Sequence, residues 1–488
     1  MTDKVSKRSI GLNTVLFAIK GMLNVAFPII TFPYVSRILG VENMGAYNFS
    51  NSIVSYVTLI AGLGISTYAI REGARQRDKI ESFANQIFTL NLLSTVLAYV
   101  ILGIALISFE QLGEYRRLIL ILSLQTLFQT IGVEWIYSVY EDYLFITLRS
   151  IFLHIASLVM LFLFVKERGD VEKYAVLTVA AHSGANIFNY IYAQKYNKFK
   201  IAMVDFKQHL KPIVILFAFN ATVTIYVSTD TTILGILCGN HTTGIYGVSA
   251  KAYSVLKTIM ASALTVSIPR LSAFLGQGDI ASFKRLSNNT YNTFLTYILP
   301  AITGVIILRR EIVLMISSSE YLEAITSLLI LALALFFCLG AGFWGQCILI
   351  PLKREKTVFI ATAIGAAVNL FLNMVLIPIW KENAAAVTTL IAEMLVFFIC
   401  RHRSKEYIKI DHEFRTMAKV IAGCIMITLV GTLTREAFSN NVVYIVSTIV
   451  LSIIGYGLIE MVLKNEIVTG IVKNIRRFNF KSKLRMRQ

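Results

Sequence analysis

Charge is what this chain has least of. Only 15% of its 488 residues are Asp, Glu, Lys or Arg, where a soluble domain usually carries about 25%. With 56% of the residues hydrophobic, that scarcity excludes an ordinary soluble fold, whose core could not hide so much apolar surface. Cysteine is also sparse. The five present (Cys238, Cys338, Cys347, Cys400, Cys424) lie in or beside apolar segments, and none forms a CxxC pair. Neither a disulfide framework nor a zinc site follows from them. The chain has no Walker loop, no His/Cys cluster and no GxSxG. An ATP-driven pump in its own right is excluded, and no enzyme activity, metal or cofactor is expected.

What is present is a series of apolar blocks of roughly 18 to 25 residues, the length that crosses a bilayer as helix. They predict about fourteen transmembrane helices over 13–36, 46–70, 86–108, 117–138, 143–165, 174–193, 212–235, 244–269, 290–308, 324–351, 357–379, 383–400, 417–434 and 441–463. The first block follows Lys4, Lys7 and Arg8. It is too long for a signal-peptide core and lacks a clear cleavage site, so it reads as a retained helix. The net charge of +18 suggests nucleic acid at first sight, but the basic residues flank apolar blocks on alternate loops. With the N-terminus placed in the cytoplasm, cytoplasmic segments hold 31 Lys and Arg, outer loops 10 with Arg117 at a helix's outer end counted among them, and helices five. That asymmetry is a topology signal. It predicts a multi-pass membrane protein, both termini cytoplasmic, surrounded by lipid and without a nucleic-acid partner. One hairpin resists the pattern: Glu141 and Asp142 stand where basic residues are expected.

An internal repeat is visible. "RILGVENMGAYNFS" and "TILGILCGNHTTGIYGVS" each carry Leu-Gly, a polar turn, and Gly-x-Tyr opening the next helix. Gly45 lies 26 residues before Arg71, and Gly244 lies 26 before Arg270. Six helices per half gives a parallel repeat with a path between the halves. The expected domains are a six-helix lobe over 1–205, a second over 206–404, and appended helices with a basic tail over 405–488.

Four stretches in order carry a family resemblance: "FPYVSRILGVENMGAYNFSNSIVSYVTLIAGLGISTYAIREGARQRD", "EWIYSVYEDYLFITLRS", "STDTTILG" with "GIYGVSAKAY", and "ILIPLKREK" followed by "VNLFLNMVLIP" and "AAAVTTLIAE". On this frame the chain resembles the prokaryotic polysaccharide-export flippases, of the superfamily of multidrug, oligosaccharidyl-lipid and polysaccharide exporters. It departs at Lys381-Glu382-Asn383, where relatives usually place a Gly before the alanines. The resemblance implies two six-helix lobes around a cavity open alternately to each side. It implies as substrate an oligosaccharide on undecaprenyl diphosphate, exported for polysaccharide assembly alongside a polymerase and other assembly proteins. A small-molecule or multidrug exporter of the same superfamily, and a non-transporting scaffold of polysaccharide assembly, are the alternatives. The short outer loops argue against a polymerase.

Charges inside helices are the candidate site residues, since each costs roughly 2.5–3.5 kcal/mol at a helix centre unless paired or wet. Lys257 lies near the centre of its helix. It is expected to engage the anionic head of the substrate, helped by Lys20 and Lys251; the competing reading pairs Lys257 with Glu393 to hold the fold. Asp230 and Lys251 are mirrored about an outer turn, which suits either an ion pair or a place in the cavity. Glu393 reads as a packed, protonated acid or as a cation-coupling residue. Glu134 and Arg149 mirror each other about the 4–5 hairpin and read as a structural pair. The polar run "NATVTIYVSTDTT" suits a wet wall, from which Asn220 would hydrogen-bond sugar hydroxyls.

Overall fold

The computed structural model describes residues 10–76 and 80–470, without the side chains of 10–20 and 22–25. Among the described residues every regular element is helical. Ten helices are long and apolar enough to cross a membrane. Three of them, Ala26–Arg75, Phe206–Gly276 and Glu355–Ser404, run for 50, 71 and 50 residues. A straight 50-residue helix would be about 75 Å long, more than twice the hydrocarbon core of a bilayer. Each is in fact two crossings joined at a break. The breaks fall at Gly40 (φ 73°, ψ 177°) within α1 (Ile10–Gly62), Gly239 (φ 78°, ψ −172°) within α9 (Phe206–Thr265), and Lys381 (φ 50°, ψ −129°) within α14 (Glu355–Ser404). Another crossing, Val171–Ala193, comprises α7 (Val171–Val179), a π-helical turn over Ala180–Gly184 and α8 (Asn186–Ala193). The chain is thus an all-α polytopic membrane protein of about fourteen crossings.

The described residues form two compact units. The first holds the chain up to Val248 together with Ile316–Tyr321 and Leu370–Ala385. In it α1 packs on α3 (Ile80–Ser108), α4 (Arg116–Ile131) and α6 (Tyr143–Phe164). After Leu63 and Gly64, both at positive φ, α2 (Ile65–Arg75) turns against α5 (Trp135–Tyr140). One apolar cluster gathers Phe49, Val57, Leu102 and Ile119; another gathers Tyr68, Phe83, Ile87, Trp135 and Tyr137.

The two broken helices meet reciprocally within this unit. A Cβ on Gly45 would lie 1.8 Å from the Asn240 carbonyl oxygen, and one on Gly244 would lie 2.2 Å from the Val41 carbonyl oxygen. Gly40 and Gly239, Val41 and Asn240, and Gly45 and Gly244 are each 199 residues apart. The repeat seen in the sequence is therefore repeated in backbone conformation, and its two copies pack on each other glycine to backbone.

The second unit contains Ser249–Met315, Leu322–Asn369 and the chain from Ala386. Its core gathers Tyr291, Phe294, Leu335, Phe343, Trp344 and Phe397. Here α15 (Glu413–Ala437) and α16 (Asn441–Val462) form an antiparallel hairpin packed on α11 (Ile280–Ile307). Thr434 and Thr448 hydrogen-bond across the hairpin at 2.7 Å. Outward faces are apolar: Val96, Leu97, Val100 and Ile104 on α3, and Val446, Val450, Ile453 and Ile454 on α16, are all exposed. Such faces are stable against lipid tails, where the helix satisfies its own backbone.

Candidate functional site

One cleft of about 570 Å³ opens in the first unit, within the roughly 300–1,000 Å³ typical of small-molecule sites. Three helices build it, and each supplies a polar stripe at the helical period. The second half of α1 supplies Asn51, Ser55 and Thr58, at i, i+4 and i+7. From α4 come Gln125 and Gln129, and from α9 come Asn220, Thr224 and Ser228, each spaced by four. Spacings of three and four place side chains on one helix face. Gly62 and Gly64 form part of the wall where α1 breaks off.

The hydroxyls are partly engaged at the seams. Thr58 and Thr126 hydrogen-bond at 2.6 Å, and Ser228 donates to Ser55 at 3.3 Å. Beside the cleft the seam continues, with Thr232 donating to Ser52 at 2.9 Å and Tyr56 bonded to Thr232 at 3.2 Å. The four amide side chains differ. Asn51, Gln125, Gln129 and Asn220 line the cleft and carry no hydrogen bond to another described residue. Among the described residues no ionisable side chain lines it. The result is a neutral wall in which amides and hydroxyls stand among the apolar side chains of Leu59, Phe219, Val223 and Val227.

The residues marked from sequence fall in different places. Asn220 lines the cleft. Asp230 lies ten residues further along α9 but is buried, accepting from Tyr246 Oη at 2.7 Å and from Asn373 Nδ2 at 2.6 Å. Lys251, Lys257 and Glu393 belong to the second unit. There Tyr253 Oη donates to Oε1 of the buried Glu393 at 3.2 Å. Lys257 Nζ sits 5.7 Å from the Tyr253 ring centre, with Cys338 and Glu393 as electrostatic neighbours. Lys20 is on α1, but its side chain lies outside the described residues. Arg149 donates to the Ala185 carbonyl at 3.1 Å and has Glu134 as its charged neighbour.

Sequence reasoning missed Asn51, Ser55, Thr58, Gln125 and Gln129. The signal was available as polar residues recurring every third or fourth position through apolar helices. It is quieter than a charge, because a neutral amide or hydroxyl in a helix raises no comparable energetic alarm.

The comparisons agree with this architecture. The family described as polysaccharide biosynthesis protein matches residues 10–275. A protein of Escherichia coli (strain K12) named "Putative O-antigen transporter" is 24% identical over 406 residues, covering 81% of this chain and 96% of the relative. Among solved structures, the lipid II flippase MurJ in an inward closed conformation superposes with a TM-score of 0.76 at 17% identity, covering 94% of this chain and 99% of that one. An inward-facing multidrug resistance MATE family transporter of the MOP superfamily gives 0.57 at 14%, covering 81% and 98%. At such identities the structural likenesses show a shared fold. The family match spans more than half of the residues, and the chain belongs to the polysaccharide biosynthesis protein family.

Proposed function

We propose that this chain is a flippase that moves undecaprenyl-diphosphate-linked oligosaccharide units from the cytoplasmic to the outer face of a bacterial inner membrane, by alternating access, for assembly of a surface polysaccharide. The observation that carries the reading is the neutral, amide-lined cleft within a lipid-embedded helical unit. The apolar liners would accept many ligands, but a wholly apolar drug would leave the four amides unanswered. A saccharide presents hydroxyls that donate and accept at once, and so do amides. The family membership and the names of the similar proteins, an O-antigen transporter and a lipid II flippase, point the same way.

In this reading Asn220 and the other cleft amides hold the sugar, with Asp230 setting the α9 wall through its network. Lys257, with Lys20 and Lys251, offsets the charge of the diphosphate as it crosses the apolar layer. Lysine suits that task as a hydrated, mobile point charge that can release a phosphate. Glu393, joined to Lys257 through Tyr253, is the candidate for cation coupling. The lobes are 1–205 and 206–404, the appended hairpin and basic tail follow, and the exported unit passes to a polymerase and its assembly partners.

The test is genetic and chemical. Deleting the gene should leave a lipid-linked oligosaccharide accumulating on the cytoplasmic leaflet, and the wild-type chain should clear it. A Lys257→Met chain that accumulates normally should clear it poorly, and Lys257→Arg partially. If the deletion strain shows no lipid-linked intermediate and keeps its surface polysaccharide, the proposal is wrong.

A further inference from the structure

We infer that the cleft of the first unit selects an uncharged saccharide: neutral hexoses or N-acetylhexosamines fit it, and sugars bearing a carboxylate do not. The inference rests on the flippase reading and goes further, from the class of substrate to the charge of its sugar.

The chemistry of the cleft and of a neutral sugar is complementary. Four amide heads, from Asn51, Gln125, Gln129 and Asn220, face the space without partners among the described residues. Each offers an N–H₂ donor pair and a carbonyl acceptor. A sugar hydroxyl or acetamido group satisfies both halves, because it too donates and accepts. A carboxylate only accepts. It would leave the amide carbonyls unanswered and would face their oxygen dipoles without a cation. Removing an ionised carboxylate from water without a charged partner is costly, and sites that take carboxylates usually supply Arg or Lys in a fixed geometry. Among the described residues no Lys, Arg or His lines this cleft. The hydroxyls do not change the balance: Thr58, Ser55 and Ser228 are bonded at the helix seams, and none of them, nor Thr224, brings a positive charge.

Orientation of the amides is set by the helices. Gln125 and Gln129 stand one turn apart on α4, while Asn51 and Asn220 come from α1 and α9. Replacing a glutamine with lysine keeps a long polar side chain and adds the missing cation. This makes the preference for neutral sugars invertible by one substitution, a result that a merely structural polar seam would not give.

The experiment uses full-length protein in proteoliposomes and two synthetic probes: undecaprenyl-diphosphate-linked disaccharides ending in glucose or in glucuronate. The carrier charge is common to both, so only the hydroxymethyl-to-carboxylate change at C6 is read. The glucose probe should cross at least about tenfold faster, as expected when a charge must enter a neutral site. Gln129→Lys should shrink that ratio several-fold by admitting glucuronate, and Gln125→Lys carries the same test should the first variant not accumulate. Equal rates, a preference for glucuronate, or a ratio unmoved by either lysine would overturn the inference while leaving a working flippase. Movement of neither probe by monodisperse wild-type protein would instead overturn the flippase reading on which it rests.

Discussion

Lys381 turns the chain between the two helices of α14 at φ 50° and ψ −129°. That region is the first central position of a type II′ turn, where glycine is preferred because a Cβ crowds the backbone. The matching breaks in α1 and α9 use Gly40 and Gly239. A lysine there stores strain on the order of 1–3 kcal/mol. Lys381→Gly should relieve part of it and stabilise the detergent-purified protein by about 1 kcal/mol, read as a rise in melting temperature. A fall would show that the lysine side chain makes contacts worth more than the strain. The departure was legible in sequence as a missing glycine, but its cost becomes visible only with the dihedral angles. The opposite happened in the cleft. Asn220 could be reached from sequence because it opens a dense polar run. Gln125 and Gln129 could not, since two glutamines in an apolar helix are equally at home on a wall, a seam or a snorkelling edge. Only packing decides which.

At the scale of elements, the crossing of α1 and α9 packs glycine directly against backbone. The Cβ positions of Gly45 and Gly244 are occupied by backbone oxygens, which cannot rotate away as a side chain could. Gly45→Ala or Gly244→Ala must therefore push the helices apart. Each should destabilise by about 1–3 kcal/mol or more, with less monodisperse protein in fluorescence size-exclusion chromatography. Gly103→Ala on α3 is the control, because nothing lies within 4 Å of its Cβ position, and there alanine should be neutral or stabilise by roughly 0.5–1 kcal/mol. If Gly45→Ala behaves like Gly103→Ala, the close crossing is wrong. The helices themselves were readable from hydropathy, and the repeat from the spacing of its glycines. The interruptions were not. The turn at Leu63–Gly64, the positive φ of Val133 and the π-helical turns over Ala180–Gly184 and Phe343–Leu349 lie inside continuous apolar blocks. Hydropathy reports the solvent a segment prefers, not the hydrogen-bond register within it.

For the whole molecule, the quantity the fold leaves open is the side of the membrane each end faces, and charge supplies the expectation. The α15–α16 hairpin offers the simplest place to test it. At one end, segment 401–416 and the chain after 463 are rich in Lys and Arg; at the other, the turn at Phe438–Asn440 has only Arg435 beside it. Cytoplasmic segments retain Lys and Arg, so the turn should lie outside and the C-terminus inside. Ser439 is exposed and carries no cap, whereas its neighbour Asn440 accepts from the Val442 and Val443 amides to start α16. Cysteine at Ser439 should therefore disturb nothing. In a background lacking the five native cysteines, Ser439→Cys should react with a membrane-impermeant maleimide in intact cells, and Lys409→Cys only after permeabilisation. Arg435 does not contradict this orientation despite its charge. It pairs with Glu311 of α12 (Arg309–Ile316), and its guanidinium lies 5.0 Å from the Tyr444 ring centre, so its charge is answered locally. Labelling of Lys409→Cys alone in intact cells would reverse the hairpin, and labelling of both positions would show that α15 does not cross the membrane between them.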